Sequence, residues 1–265
     1  MSGKFVTAPL SRLTVLQQTS TLFGERCRSH YSVLMDVCKK QGWTSLWRGS
    51  FLACVKRGPA SAINFLMLET IPRSIKEASY HGVPYGGFIP GALGGFLGAV
   101  TLNWMEVVRV NRMALAQEAQ CPSCVDVLRD RGLGAVVSNG VGLSILLHIG
   151  QCSVVYCVQP LLQQGMRAHS THEPSSAIAG MSGGLAGMLS NFVFFPLDLL
   201  CRRQQAQGMS GCCKVTAIQD FRNILKTDGP RALWRGAAPD VLKGGISCAV
   251  CFLTYEMLKK PFRFA

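Results

Sequence analysis

Apolar residues fill long stretches of this chain, yet none is an unbroken run of the roughly 20 apolar residues that a plain membrane-crossing helix needs. The pattern predicts helices at 50–72, 86–116, 138–163, 177–207 and 237–260, each interrupted by Gly, Ser, Asn or a few charges. Helices of this kind suit a bundle in which one face meets lipid and the other lines a wet cavity. Between them lie two shorter segments, YSVLMDVCKKQG and AIQDFRNILKTDG, with apolar residues at helical spacing and a closing Gly. Two long segments carry small residues at close-packing spacing: Gly91, Gly95 and Gly98 in one, Gly180, Gly184 and Gly187 in the other. The residues between them are Ala, Leu, Phe and Met, so these are packing stripes that let helix backbones approach, and not flexible loops.

One unit recurs three times. The third copy reads FFPLDLLCRRQQ, then DGPRALWRG, then TYEMLKK; the first reads APLSRLTVLQQ, QGWTSLWRG and FLMLETIPR. The second is worn: NWMEVVRVNRM, RGLGAVVSNG and YCVQPLLQ. Pro9, Trp104 and Pro196 correspond, as do Gly49, Gly140 and Gly236, and Glu69, Gln159 and Glu256. A period this long excludes the small solenoid repeats and fits one domain of three tandem units, expected at residues 1–80, 81–170 and 171–265.

At these residues the chain resembles the mitochondrial carrier family. The resemblance implies an all-α membrane protein of three two-helix repeats forming a six-helix barrel of pseudo-threefold symmetry in the mitochondrial inner membrane, active as a monomer. In such a barrel the acid of one repeat meets the base of the next at the matrix end. Here that sets Ser11 against Arg109, Glu106 against Cys201, and Asp198 against Thr14, with Gln18 and Gln205 as braces. None of the three is a full ion pair, and Glu106 and Arg109 are also placed to pair with each other at i and i+3. Trp104 stands where the middle proline is expected, which removes the reason for a kink there. At the other end the resemblance pairs Glu69 with Leu162, Gln159 with Lys259, and Glu256 with Pro72.

The same resemblance puts substrate contacts at Lys56, at Leu146 with Leu147, and at Lys243, with Arg57 and His148 one position away. Two lysines in mid-span are costly unless they share an anion or water; the alternative is that they snorkel to an interface. Lysine binds phosphate as a point charge, and the TAPLSRLT variant resembles carriers of nucleotides and coenzyme A. The matrix elements Gly42 with Trp47-Arg48-Gly49, and Gly229 with Trp234-Arg235-Gly236, resemble cardiolipin-binding elements, so structural cardiolipin is the expected lipid partner. The function implied is alternating-access transport of a small, phosphorylated anionic metabolite, nucleotide or coenzyme A-like. The alternative is a carrier-derived scaffold or receptor that no longer transports.

The charge bears on this picture. The chain has 27 Lys and Arg against 14 Asp and Glu, giving +13, with 48% hydrophobic residues. No aromatic-basic recognition motif accompanies the charge, which sets nucleic acid aside; basic loops on lipid head groups and an anion-binding cavity account for it. Among the 12 cysteines Cys121 with Cys124 and Cys212 with Cys213 are close, and a C-x-x-C pair by itself does not complete a zinc site. No nucleophile–base set, metal spacing or phosphate loop is present, so neither an enzyme nor a cofactor is expected. Eight residues precede Pro9, enough for about 12 Å of a roughly 30 Å apolar core. The first helix is therefore expected to be incomplete, from a wrong start or a degenerate relative.

Overall fold

In the computed structural model, the described residues are 6–19, 30–70, 79–80, 83–84, 88–114, 129, 132–169, 175–207, 215–244 and 246–247. In chain order these give α1 (Ala8–Thr19), α2 (His30–Gln41), a 3₁₀ turn (Trp43–Trp47), α3 (Ser50–Thr70) and a hairpin of β1 (Ser79–Tyr80) and β2 (Val83–Pro84). Then follow α4 (Phe88–Ala114), α5 (Leu133–Ser138), α6 (Val141–His169), α7 (Ser175–Val193), α8 (Phe195–Ala206), α9 (Ala217–Thr227), a second 3₁₀ turn (Pro230–Trp234) and a helical stretch over 237–244. The two antiparallel strands, two residues each, are a local connection; the architecture is all-α.

Phe88–Ala114 and Val136–Ala168 are each long and apolar enough to cross a membrane. Ile178–Val193 and Phe195–Ala206 qualify together as one broken span, bent by 68°. The bend falls where Pro196, in the first turn of α8, has no N–H to continue the ladder of α7. In the second repeat Trp104 occupies the corresponding place, and α4 runs unbroken for 27 residues. The 21-residue α3 accommodates Pro59 within it.

Small residues set the helix spacing as the sequence pattern implied, but only in part. A Cβ on Gly95 would lie 2.5 Å from the His148 carbonyl oxygen, and one on Gly91 2.8 Å from the Ser153 Cα. Here α4 and α6 touch backbone to backbone. Gly98 and Gly187 face open space instead. Gly150 of α6 receives the ring of Phe194 at the bend, with the nearest ring atom 2.4 Å from where a Cβ would sit.

The repeats close on one another in a ring. After each connecting turn stands a glycine of positive φ: Gly49 (81°), Gly140 (67°) and Gly236 (88°), a backbone region that side chains disfavour. Gly49 of the first repeat packs on Met113 of the second. Gly140 of the second packs on Gln205 of the third, and Gly236 of the third on Gln17 of the first. The connecting helices α2, α5 and α9 pack on α1, α4 and α8. α9 starts with a capping box in which the Thr216 backbone N–H donates to Gln219 Oε1 at 3.3 Å. It is fixed by an ion pair from Arg203 Nε to Asp220 Oδ2, 2.9 Å long and largely out of water.

Candidate functional site: a charged cavity between the helices

Each long helix turns one stripe inward. On α3 it is Ala53, Lys56, Arg57, Ala60 and Asn64; on α6 it is Ser144, Leu147, His148, Gln151 and Cys152. Both stripes repeat at three and four residues, the period of a helix face. Glu106 and Arg109 of α4, Asn191 of α7, Asp198, Cys201, Arg202 and Gln205 of α8, and Asp240 and Lys243 of the last stretch complete the wall. They enclose a cavity of about 350 Å³, within the range of small-molecule sites. Five cationic side chains line it against three carboxylates.

Lys56 and Lys243, from the first and third repeats, face the same space. Neither snorkels. Lys56 Nζ lies 3.0 Å from Glu106 Oε2, and Lys243 is paired with Asp240 one turn back on its own helix. Arg57 and His148 also line the cavity; His148 Nδ1 hydrogen-bonds the Ser144 carbonyl at 2.8 Å. One expected contact is corrected. Leu146 is 58% exposed and points outward, whereas Leu147 is 3% exposed and lines the cavity. The inward stripe passes through 144, 147, 148 and 151, one residue out of register with Leu146.

At the matrix end the expected pairings between repeats are redrawn. Asp198 takes Arg202 of its own helix, with Nη2 2.9 Å from Oδ2, and accepts from Gln18 Nε2 at 3.3 Å. Its anticipated partner Thr14 donates back to the Leu10 carbonyl at 3.0 Å. Glu106 takes Arg109 at 3.1 Å, the i to i+3 pairing, together with Lys56. Ser11 and Cys201 are buried. Gln205 Nε2 donates to Asn103 Oδ1 at 3.1 Å, and Asn103 Nδ2 donates to the Val137 and Asn139 carbonyls, 3.1 Å each. One turn beyond the charges, Val15 of α1, Val110, Met113 and Ala114 of α4, and Ala206 of α8 form a buried apolar cluster. This cluster joins all three repeats by apolar contact, beside the polar contacts that Gln18 and Gln205 make between repeats.

At the opposite end, Glu69 is exposed at the close of α3. Gln159 is half-buried against Gly183 of α7, its Nε2 3.3 Å from where a Cβ there would sit. Glu256 and Lys259 lie outside the described residues, as does most of the expected 237–260 helix beyond 247. On the matrix elements, Gly42 and Gly229 both have positive φ. Trp47 and Trp234 are 37% and 41% exposed. Arg48 Nη1 donates to Gln41 Oε1 at 3.4 Å, and Arg235 pairs with Asp228 at 3.2 Å.

Sequence reasoning missed Arg202, Asp240, Asn64, Gln151 and Asn191. Arg202 is one place past the motif's base position, and the amides are visible only once the inward stripe is drawn through each helix. Among the described residues no group of His, Cys, Asp and Glu is arranged to hold a metal ion.

Bent and close-packed helices, two of them long and apolar enough to cross a membrane, surround a charged cavity, which is the architecture of a membrane carrier fold. The mitochondrial carrier protein family matches residues 1–79 and 172–264, so the chain belongs to that family, as a multi-pass protein of the mitochondrial inner membrane. It is 29% identical over 262 residues to the calcium-binding mitochondrial carrier protein SCaMC-2-A of Danio rerio, covering 96% of this chain and 55% of that protein. It is 29% identical over 260 residues to SCaMC-2 of Xenopus laevis, covering 96% and 50%. With the human mitochondrial adenyl nucleotide antiporter SLC25A25 it shares 28% over 264 residues, covering 96% and 55%. The chain spans about half the length of the curated relatives it matches.

Proposed function

We infer that this chain carries a small anionic, phosphorylated metabolite across the inner membrane by alternating access, and that a nucleotide is the foremost candidate. The observation that carries the reading is the cavity, where five cations face three carboxylates between membrane helices. An excess of positive charge is costly there unless a mobile anion balances it. Lys56, Arg57 and Lys243 would hold the anion, Leu147 would contact its apolar part, and Gln151 and Asn191, joined at 3.2 Å, offer amides to a polar heterocycle. The similarity to adenyl nucleotide antiporters supports a nucleotide over a coenzyme A-like solute. The solute would cross chemically unchanged, with no enzymatic step. Cardiolipin is proposed as a structural lipid at Gly42, Trp47-Arg48-Gly49, Gly229 and Trp234-Arg235-Gly236. The working unit is proposed to be a monomer.

A second reading, a membrane scaffold without transport, draws on one observation: the family match skips the worn second repeat, between residues 79 and 172. Purified protein reconstituted into cardiolipin-containing liposomes separates the two. Uptake of labelled ATP that depends on internal ADP supports the carrier. Uptake of coenzyme A alone would move the solute class. Absence of uptake for nucleotides, coenzyme A and phosphate would leave the scaffold.

A further inference from the structure

Four of the five cavity cations already have a carboxylate. Lys56 and Arg109 share Glu106, at 3.0 and 3.1 Å; Arg202 holds Asp198; Lys243 holds Asp240. Among the described residues Arg57 alone lines the cavity with no ion pair. We propose that Arg57 is the first anchor of the entering anion, and that Glu106 and Asp240 stand in for that anion, holding Lys56 and Lys243 until it displaces them.

The argument is one of exchange. A lysine hydrogen-bonded to a carboxylate gains little from a phosphate oxygen, because one charge-assisted contact replaces another. An unpaired guanidinium gains the whole contact and has five donors to offer. Affinity therefore resides in Arg57, while the two clamped lysines discriminate: only an anion that can replace their carboxylates at both positions is fully bound. The exchange leaves no carboxylate stranded. Glu106 keeps Arg109 on its own helix, and Arg202 interacts electrostatically with both Glu106 and Asp240. Before an anion enters, the same pairs hold both lysines in place, which avoids repulsion between ammonium groups that face one space.

This proposal rests on the anion-carrier reading, and two measurements keep their failures apart. The first needs no solute: the acylation rate of each lysine by a small water-soluble reagent, read by peptide mass spectrometry. Glu106→Gln should speed labelling of Lys56, and Asp240→Asn that of Lys243, each by about fivefold or more as the charged partner is lost. Glu106→Asp, which keeps the charge on a shorter stem, serves if the amide variant does not fold, and should speed Lys56 to a smaller degree. Unchanged rates would overturn the clamps. The second measurement is the dissociation constant of ADP for the purified protein. Arg57→Ala should weaken it about tenfold or more, and Glu106→Gln should tighten it about tenfold. Lys56→Ala should matter little alone but cost about tenfold in the Glu106→Gln background, because residues that share a partner couple. Equal losses for Arg57→Ala and Lys56→Ala in the parent protein would overturn the anchor. A protein silent to ADP, ATP and phosphate would overturn the anchor together with the carrier reading, while the labelling rates still decide the clamps.

Discussion

The Gln18 amide donates to Asp198 across 3.3 Å and ties α1 to α8, residues 180 positions apart in the chain. The same carboxylate is held more tightly by Arg202, at 2.9 Å from its own helix. The two contacts differ in kind, since one is a neutral donor between repeats and the other a charged donor within one. Gln18→Ala should cost about 1 kcal/mol. Arg202→Ala should cost about 3 kcal/mol or more, because it strands a carboxylate out of water. Thermal unfolding of the two variants tests the order. Equal losses would mean that the contact across the barrel holds Asp198 as firmly as the one within α8.

Gly95 is the narrowest point between α4 and α6. A side chain there meets the His148 carbonyl at 2.5 Å and its carbon at 2.6 Å, and backbone cannot rotate away as a side chain would. Gly95→Val should cost about 2 kcal/mol or more by forcing the helices apart. Gly98→Val, one turn away and facing open space, should be near neutral. Melting temperatures of the pair in one detergent check both, and similar losses would refute the close contact.

The same contrast shows what the sequence could reveal. The helices of the three repeats were legible because their ends carry Pro, Gly and charges in matching places: Ser50–Thr70 and Phe88–Ala114 fall within the predicted 50–72 and 86–116. The break at Phe194 followed from Pro196, and the continuity of α4 from Trp104. Which glycines of a stripe touch a neighbour was not legible, because Gly95 in contact and Gly98 in the open both fall at helical spacing. Side-chain partners were least legible. Carrying a pairing rule across repeats gave Thr14 to Asp198, whereas Arg202 lies one residue beyond the rule and wins through a charged, bidentate contact. Leu146 was misplaced for a similar reason, by one position on a helix where a single residue turns the side chain through about 100°.

Arg203 and Asp220 bind the matrix helix α9 to α8 at 2.9 Å. Burial pushes the Asp220 carboxyl above its ordinary value, although the Arg203 guanidinium pulls the other way. An acid whose folded pKa is raised takes up its proton more readily when folded. Its contribution therefore favours the fold at low pH and is lost as pH rises through the interval above the ordinary Asp value of about 3.9. At neutral pH, Asp220→Ala should be costly, about 3 kcal/mol, since Arg203 loses its buried partner. The double replacement Arg203→Met with Asp220→Leu should restore most of that stability. A double variant as unstable as the single one would show that the pair does more than fix α9.

Trp47 and Trp234 stand half-exposed beside Gly49 and Gly236, at matching places in the first and third repeats. If these elements hold cardiolipin, adding it to the purified protein should raise the melting temperature, because a ligand that binds only the folded form stabilises it by mass action. Gly49→Leu with Gly236→Leu should remove most of that increment. Both glycines have positive φ, so the variant itself will melt lower; the informative quantity is the increment on adding lipid. An increment equal to the parent's would reduce these elements to turns.

The apolar cluster beyond the cavity offers a direct probe of this end of the bundle. Val15, Val110, Met113, Ala114 and Ala206 come from all three repeats and are nearly water-free. Met113 is 1% exposed and also underlies Gly49. Closure by apolar contact depends on excluding water and not on opposite charges, so it should be nearly insensitive to salt, unlike a gate of exposed ion pairs. Met113→Ala should lower stability by about 2–3 kcal/mol through the cavity it leaves, and should also loosen the closed state. Met113→Asp should go further, because a charge among these side chains is tolerated only when water enters and the helices part. In liposomes, the aspartate variant should admit a cysteine-directed reagent to a cysteine placed at Val110 from the matrix-facing side, whereas the parent with the same cysteine should exclude it. Equal access in both would mean that the barrier lies elsewhere along the barrel.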